Sequence, residues 1–150
     1  MRKMMIHKVM NSIFEVMETM FYFTVEERNV PESDLSVLFD GQDVRACKVT
    51  FSGEHSGAIF LLIPKNVLVS MTENFMGEDG ANLSDELTDG TLKETLNMVA
   101  GNALTKVNEQ SYMGLGIPEM VAPSLLPMNK DCVVFDTGKG LMAACIELEN

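Results

Sequence analysis

Between residues 5 and 22, Met5, Val9, Ile13, Val16, Met17, Met20 and Phe21 recur near helical spacing, with Ser12 among them. That period predicts a long first helix. The pattern then dissolves. FTVEERNVPESD is polar, contains a Pro and reads as loop, and LSVLFDGQDV suggests a short strand and a turn. RACKVTFSG and SGAIFLLIP follow, two β-rich runs flanking the turn-rich SGEHSG, which predicts an antiparallel hairpin. The second run is apolar at every position from Ala58 to Ile63. It is therefore expected to be a central strand, covered on at least one face.

Pro64 ends that strand, and KNVLVSMTENFM reads as a helix closed by Gly77. The acidic, turn-forming loop GEDGANLS leads to Ser84, Asp85 and Glu86, a typical helix start. A helix from about 85 to 109 is predicted, with a local interruption at Gly90. Beyond SYMGLGIPEM come three strand candidates, VAPSLL, CVVFDT and LMAACIELE, the last two joined by the tight turn GKG. No internal repeat or linker is visible. The sum is an α+β fold with an antiparallel sheet of about five to six strands and long helices packed on one face. A chain of 150 residues fits one domain spanning 1–150.

Charge narrows the partners. A net charge of −11 repels a nucleic-acid backbone and an anionic membrane surface alike, so neither is expected as a partner. No apolar run is long enough to span a bilayer. The N-terminus lacks a signal-peptide core and cleavage site, which points to the cytoplasm. The 13 Met residues fit core packing, since Met is a flexible gap-filler. Cys47, Cys132 and Cys145 are widely spaced, with no CxxC and no nearby His. They are expected to be buried free thiols, and no metal site is expected. His7 and His55 are isolated.

One helix carries candidate chemistry. In LKETLNMVAGNAL (92–104), placed on a wheel at about 100° per residue, Leu92, Leu96, Val99 and Ala103 share an apolar arc that Val107 extends. This arc is the expected core face. Glu94, Asn97 and Gly101 gather opposite, with Gly90 one turn before Glu94. Glu94 and Asn97 are at i and i+3 and are surface neighbours. A helix-interior Gly costs about 0.5–1 kcal/mol relative to Ala, and its compensation would be close approach by another backbone. Two interpretations of this face stand: a docking surface presenting a carboxylate beside an amide, or a solvated helix side. The ExxN spacing does not choose between them. It also occurs at Glu26/Asn29 and Glu147/Asn150, but only the middle pair lies in a strong helix flanked by Gly.

The stretch TLKETLNMVAGNALTKV resembles the signature helix of the CheX-like branch of the CheC, CheX and FliY phosphatases. VTFSGEHSGAIFLLIP resembles the hairpin that precedes that helix, and MVAPSLL the Pro-containing strand start that follows it. The resemblance implies dephosphorylation of a CheY-type response regulator, with catalysis by Asn97 and Glu94. Asn97 would enter the receiver's active site and hold a water in line with the phosphorus, while Glu94 would pair with the receiver's active-site Lys. Gly90, Met98 and Gly101 would contact the partner. No cofactor is implied for the chain itself, because the receiver domain brings Mg²⁺. A homodimer is implied too.

The chain departs from the wider family in two places. Gly90 stands where an Asp or Ser is usual, with Asp89 one residue earlier, and Met120 stands where the CheC pattern has Pro, between Pro118 and Pro123. Both departures point toward the CheX-like branch. The alternative expectation is a CheX-like binding module that docks on a receiver, or another signalling protein, without catalysis.

Overall fold

The first apolar stripe forms helix α1 (Arg2–Phe21), which buries Met5, Val9, Ser12, Ile13, Val16, Met17 and Phe21. The computed structural model describes residues 2–77, 83–107, 114–129 and 131–149, with the backbone alone at 105–107. Parts of three expectations lie outside the described residues: the loop over 78–82, the helix end at 108–109 and the stretch 111–113. The side chain of Val107 does as well.

The expected hairpin is present as β2 (Val44–Ser52) and β3 (Ser56–Pro64), paired antiparallel from Val44↔Pro64 to Phe51↔Gly57. Helix α3 (Lys65–Met76) follows directly. Its terminator Gly77 adopts φ 71°, and its N–H donates to Glu73 O at 2.7 Å. Only Gly takes that left-handed geometry without steric cost. Helix α4 (Asp85–Val107) then runs unbroken through Gly90, so the predicted interruption does not occur. The Ser84 hydroxyl accepts the Leu87 N–H at 3.2 Å, and packing on both flanks outweighs one Gly.

Among the described residues the sheet has seven strands, more than predicted, and every pairing is antiparallel. Its order is β1 (Glu26–Arg28), β6 (Cys132–Asp136), β7 (Leu141–Glu149), β3, β2 and β4 (Gly114–Leu115). Strand β5 (Glu119–Val121) shares the outer edge of β2 with β4. The additions are short edge strands. β1 falls in the stretch expected to be loop, because all three of its residues are exposed and carry no apolar alternation. VAPSLL was expected as a strand. Only Val121 belongs to one, and Pro123–Leu125 form a 3-10 turn. LSVLFDGQDV holds the end of a four-residue helix, α2 (Glu32–Leu35), then turns, and reaches a strand only at Val44.

Alternation sorts the sheet's side chains onto two faces. Cys47, Val49, Phe51, Ile59, Leu61, Ile63, Met142, Ala144 and Ile146 join the main core with α1, α3 and α4. Ala46, Ala58, Phe60, Leu62 and Cys145 form a smaller cluster on the other face, against Leu126, Phe39 and Met128. The long helices therefore do lie on one face, while α2 and the 3-10 turn cover part of the second.

Cys47 is the buried free thiol expected. Cys132 and Cys145 are not free: they oppose each other in the β6–β7 register, Cα atoms 4.1 Å apart, and are joined as a disulfide. Two separate strand-like runs gave no hint that they would pair in this register. Among the described residues, no helix is long and apolar enough to cross a membrane.

Candidate functional site

Helix α4 is fastened along its buried side. Leu92, Leu96, Val99 and Ala103 are essentially inaccessible, as the apolar arc predicts, and Ala100 and Leu104 widen it. The wheel did not anticipate the threonines. Thr88, Thr91 and Thr95 are also buried, and each hydroxyl donates to a backbone carbonyl of the preceding turn, at 3.1, 3.1 and 2.7 Å respectively. That local bonding lets a polar side chain sit against the core at little cost. Thr72 on α3 lies with its hydroxyl 2.9 Å from that of Thr91.

Three further ties fix the helix's rotation. The buried Ser12 hydroxyl on α1 donates to Val99 O at 2.9 Å, and Asn102 Nδ2 donates to Ser12 Oγ at 3.2 Å and to Glu15 Oε2 at 3.1 Å. Beneath the helix, the Cys47 thiol on β2 lies 3.8 Å from Leu92 O. Burial pushes that thiol up to about 12, with Lys93 opposing the rise and Asp89 adding to it. At the helix start, Arg45 on β2 faces Asp85 and Asp89 at 3.6 and 3.7 Å, and Lys65 on α3 also bonds Asp85. Lys65 holds the exposed Asp85 carboxyl below its ordinary range, chiefly through that hydrogen bond. Asp89 therefore turns toward β2 and its Oδ1 is buried. It does not stand in for the side chain that Gly90 lacks.

What remains on the outer side is the polar pair. Glu94 and Asn97 are exposed, as are Gly90 and Lys93. These four line an open groove of about 360 Å³ whose far wall is Gly116, Ile117 and Pro118, from the β4–β5 connection. A second open groove, of about 460 Å³, lies on the other side of Glu94 and Gly90, against Phe75 and Met76 at the end of α3. The two remaining candidates sit differently. Met98 is half-buried and packs against the main core, and Gly101 is half-buried and lines neither groove. A Cβ placed on Gly90 or Gly101 would meet nothing within 4 Å. Neither Gly is therefore required by the fold's own packing.

Chemically, the groove offers a carboxylate, an ammonium and an amide on a rigid helix. It can orient a small polar molecule and pair with a cation, but it contains no strong base or thiol nucleophile. Among the described residues, no three His, Cys, Asp or Glu side chains are grouped to hold a metal ion. Sequence reasoning missed Ile117, whose prominence follows from the loop's placement rather than from any periodicity. In the sequence, Pro118 stands out only as a neighbour of the family's Pro position at Met120.

The family model described as the chemotaxis phosphatase CheX matches residues 45–137, more than half of the chain. The chain belongs to the CheX family. The match spans the hairpin, α3, α4 and the strands up to β6. No curated protein matches the chain in sequence. Among solved structures, chemotaxis protein CheX from Vibrio vulnificus is similar over 99% of both chains, with TM-score 0.79 and 16% identity. CheX from Desulfovibrio desulfuricans is similar over 97% of this chain and 99% of that one, with TM-score 0.72 and 15% identity. The CheX–CheY–BeF3–Mg²⁺ complex from Borrelia burgdorferi contains a chain similar over 97% of both, with TM-score 0.67 and 14% identity. At these identities the structures establish a shared CheX fold, and the family match is to a chemotaxis phosphatase.

Proposed function

We propose that this chain hydrolyses the aspartyl phosphate of a CheY-type receiver domain, with Asn97 orienting the attacking water and Glu94 docking on the receiver's active-site Lys. The observation that carries this reading is that Glu94 and Asn97 face one groove on the outer side of a helix whose rotation is fixed by Ser12, Asn102 and Arg45. Membership of the CheX family supports it, as does the existence of a relative in complex with CheY.

An acyl phosphate is already an activated species, so placing water correctly supplies much of what is needed. Well-oriented reactions can reach effective molarities of about 10⁵ M or more. In the proposed step the water oxygen bonds to phosphorus while the bond from phosphorus to the aspartyl oxygen breaks. Inorganic phosphate and the free carboxylate result, and the water's proton passes to phosphate or solvent. Asn97 Oδ1 would accept one hydrogen bond from the water and so aim its lone pair at phosphorus. Glu94 would set the distance by pairing with the receiver's ammonium. The Mg²⁺ is proposed to belong to the receiver, so this chain needs no cofactor of its own. The reaction would take place in the cytoplasm.

A homodimer forms part of the same proposal, and the sheet's outer edges at β1 and at β4 and β5 are where strands could pair. The test of function is loss of phosphate from a phosphorylated receiver, with and without this chain and its Asn97→Ala variant. Receiver binding without any acceleration by the wild-type chain would instead identify a non-catalytic docking module.

A further inference from the structure

Of the seven large hydrophobic side chains exposed among the described residues, three flank Glu94: Ile117, 89% exposed, on one side, and Phe75 and Met76, 50% and 42% exposed, on the other. Isolated exposed apolar residues are ordinary on a protein surface. Three of them bordering one carboxylate mark a contact surface. Both grooves share Gly90 and Glu94, so the apolar rims and the polar centre form one continuous face.

Each rim is built to hold its position. Gly116 donates its N–H to Thr50 O at 2.8 Å, and a Cβ there would lie 2.7 Å from Thr50 Oγ1 and 3.2 Å from Thr50 O. The loop therefore lies tight on β2 and presents Ile117 at a fixed height beside α4. On the other side, Phe75 packs its ring on Phe21 at 5.9 Å between centroids, and Asn74 Nδ2 donates to Phe21 O at 2.8 Å. Gly77 ends the helix immediately after Met76. Preorganised apolar side chains lose little freedom on binding, which is the property of an interface anchor.

We propose that Ile117 and the Phe75–Met76 pair are the two anchors that grip the receiver, one on each side of the point where Glu94 and Asn97 enter it. This rests on the phosphatase reading for the identity of the partner. The partner chemistry it requires is a recessed, cation-bearing pocket with apolar side chains on opposite rims. The anchors position the receiver. They do not touch the reacting atoms.

The chain is tested against a CheY-type receiver from the same organism, by binding to the beryllofluoride- and Mg²⁺-activated form and by turnover of the phosphorylated form. Ile117→Ser and Phe75→Ser are each expected to raise Kd and KM on the order of tenfold while kcat stays within about twofold. Ile117→Val should restore most of the affinity. Leu125→Ser removes a similarly exposed side chain on the other face of the sheet and should change nothing.

Asn97→Ala in the same assays separates this proposal from the phosphatase reading. It should remove turnover and leave binding intact. If Asn97→Ala loses no turnover but the rim variants lose binding, the catalytic reading fails and the anchors stand. The anchor proposal is overturned if either Ile117→Ser or Phe75→Ser leaves Kd within about twofold of wild type, or if the chain binds no activated receiver.

Discussion

Ser12 on α1 donates its hydroxyl hydrogen to the carbonyl oxygen of Val99 on α4, 2.9 Å away and fully buried. Val99 is two residues past Asn97, so this bond helps set the direction in which the amide points. Removing it leaves Asn102 short of one acceptor. Ser12→Ala is expected to cost about 1 kcal/mol of stability, measured by chemical denaturation, because a net hydrogen bond contributes roughly that amount. Turnover on a phosphorylated receiver should fall more than the stability change alone explains.

Gly90 and Gly101 make an opposite prediction for the fold. With nothing within 4 Å of an added Cβ at either position, Gly90→Ala and Gly101→Ala should each stabilise the chain by about 0.5–1 kcal/mol, read as a raised denaturation midpoint. Gly90 lies in both grooves beside Glu94. A bulky residue there should therefore weaken receiver binding while the fold gains stability. Gly101 lines neither groove, so the same change there tests whether the receiver reaches a full turn beyond Asn97.

Cys47 predicts an alkaline transition. Its pKa rises from 9.0 to about 12 on folding, mainly through burial. Between those values the unfolded chain has lost the thiol proton and the folded chain retains it, so stability falls as pH rises. The contribution is fully present below about pH 9 and gone above about pH 12. Denaturation curves across that window should flatten in Cys47→Ala relative to wild type. Below pH 9 the thiol should react with alkylating reagents only as fast as the chain unfolds.

Periodicity revealed whatever was amphipathic or continuously apolar. The stripe of α1, the β2–β3 hairpin, the strands β6 and β7 and the arc Leu92, Leu96, Val99 and Ala103 were all legible for that reason. Edges were not. The Glu26–Arg28 strand is exposed at every position, and its pairing with β6 is decided by tertiary placement. Val121 and Pro123 looked like one strand because the 3-10 turn at Pro123 carries apolar residues, among them Leu125, which is 64% exposed.

Within the candidate site, the helical wheel identified the outward face. It missed the buried threonines, because their satisfaction depends on backbone carbonyls one turn earlier. It also could not show Ile117, which reaches the groove from another part of the chain. The disulfide between Cys132 and Cys145 depends on strand register, which spacing along the chain does not reveal.

The central claim is that the Asn97 side chain, and not the mere presence of a docked partner, drives hydrolysis. The most direct measurement is the rate of phosphate loss from a phosphorylated CheY-type receiver under saturating wild-type chain and saturating Asn97→Ala chain. The expected result is a fall of about 100-fold or more in the accelerated rate, toward the receiver's own hydrolysis, with receiver binding unchanged. An Asn97→Ala chain that works as fast as wild type would contradict the account.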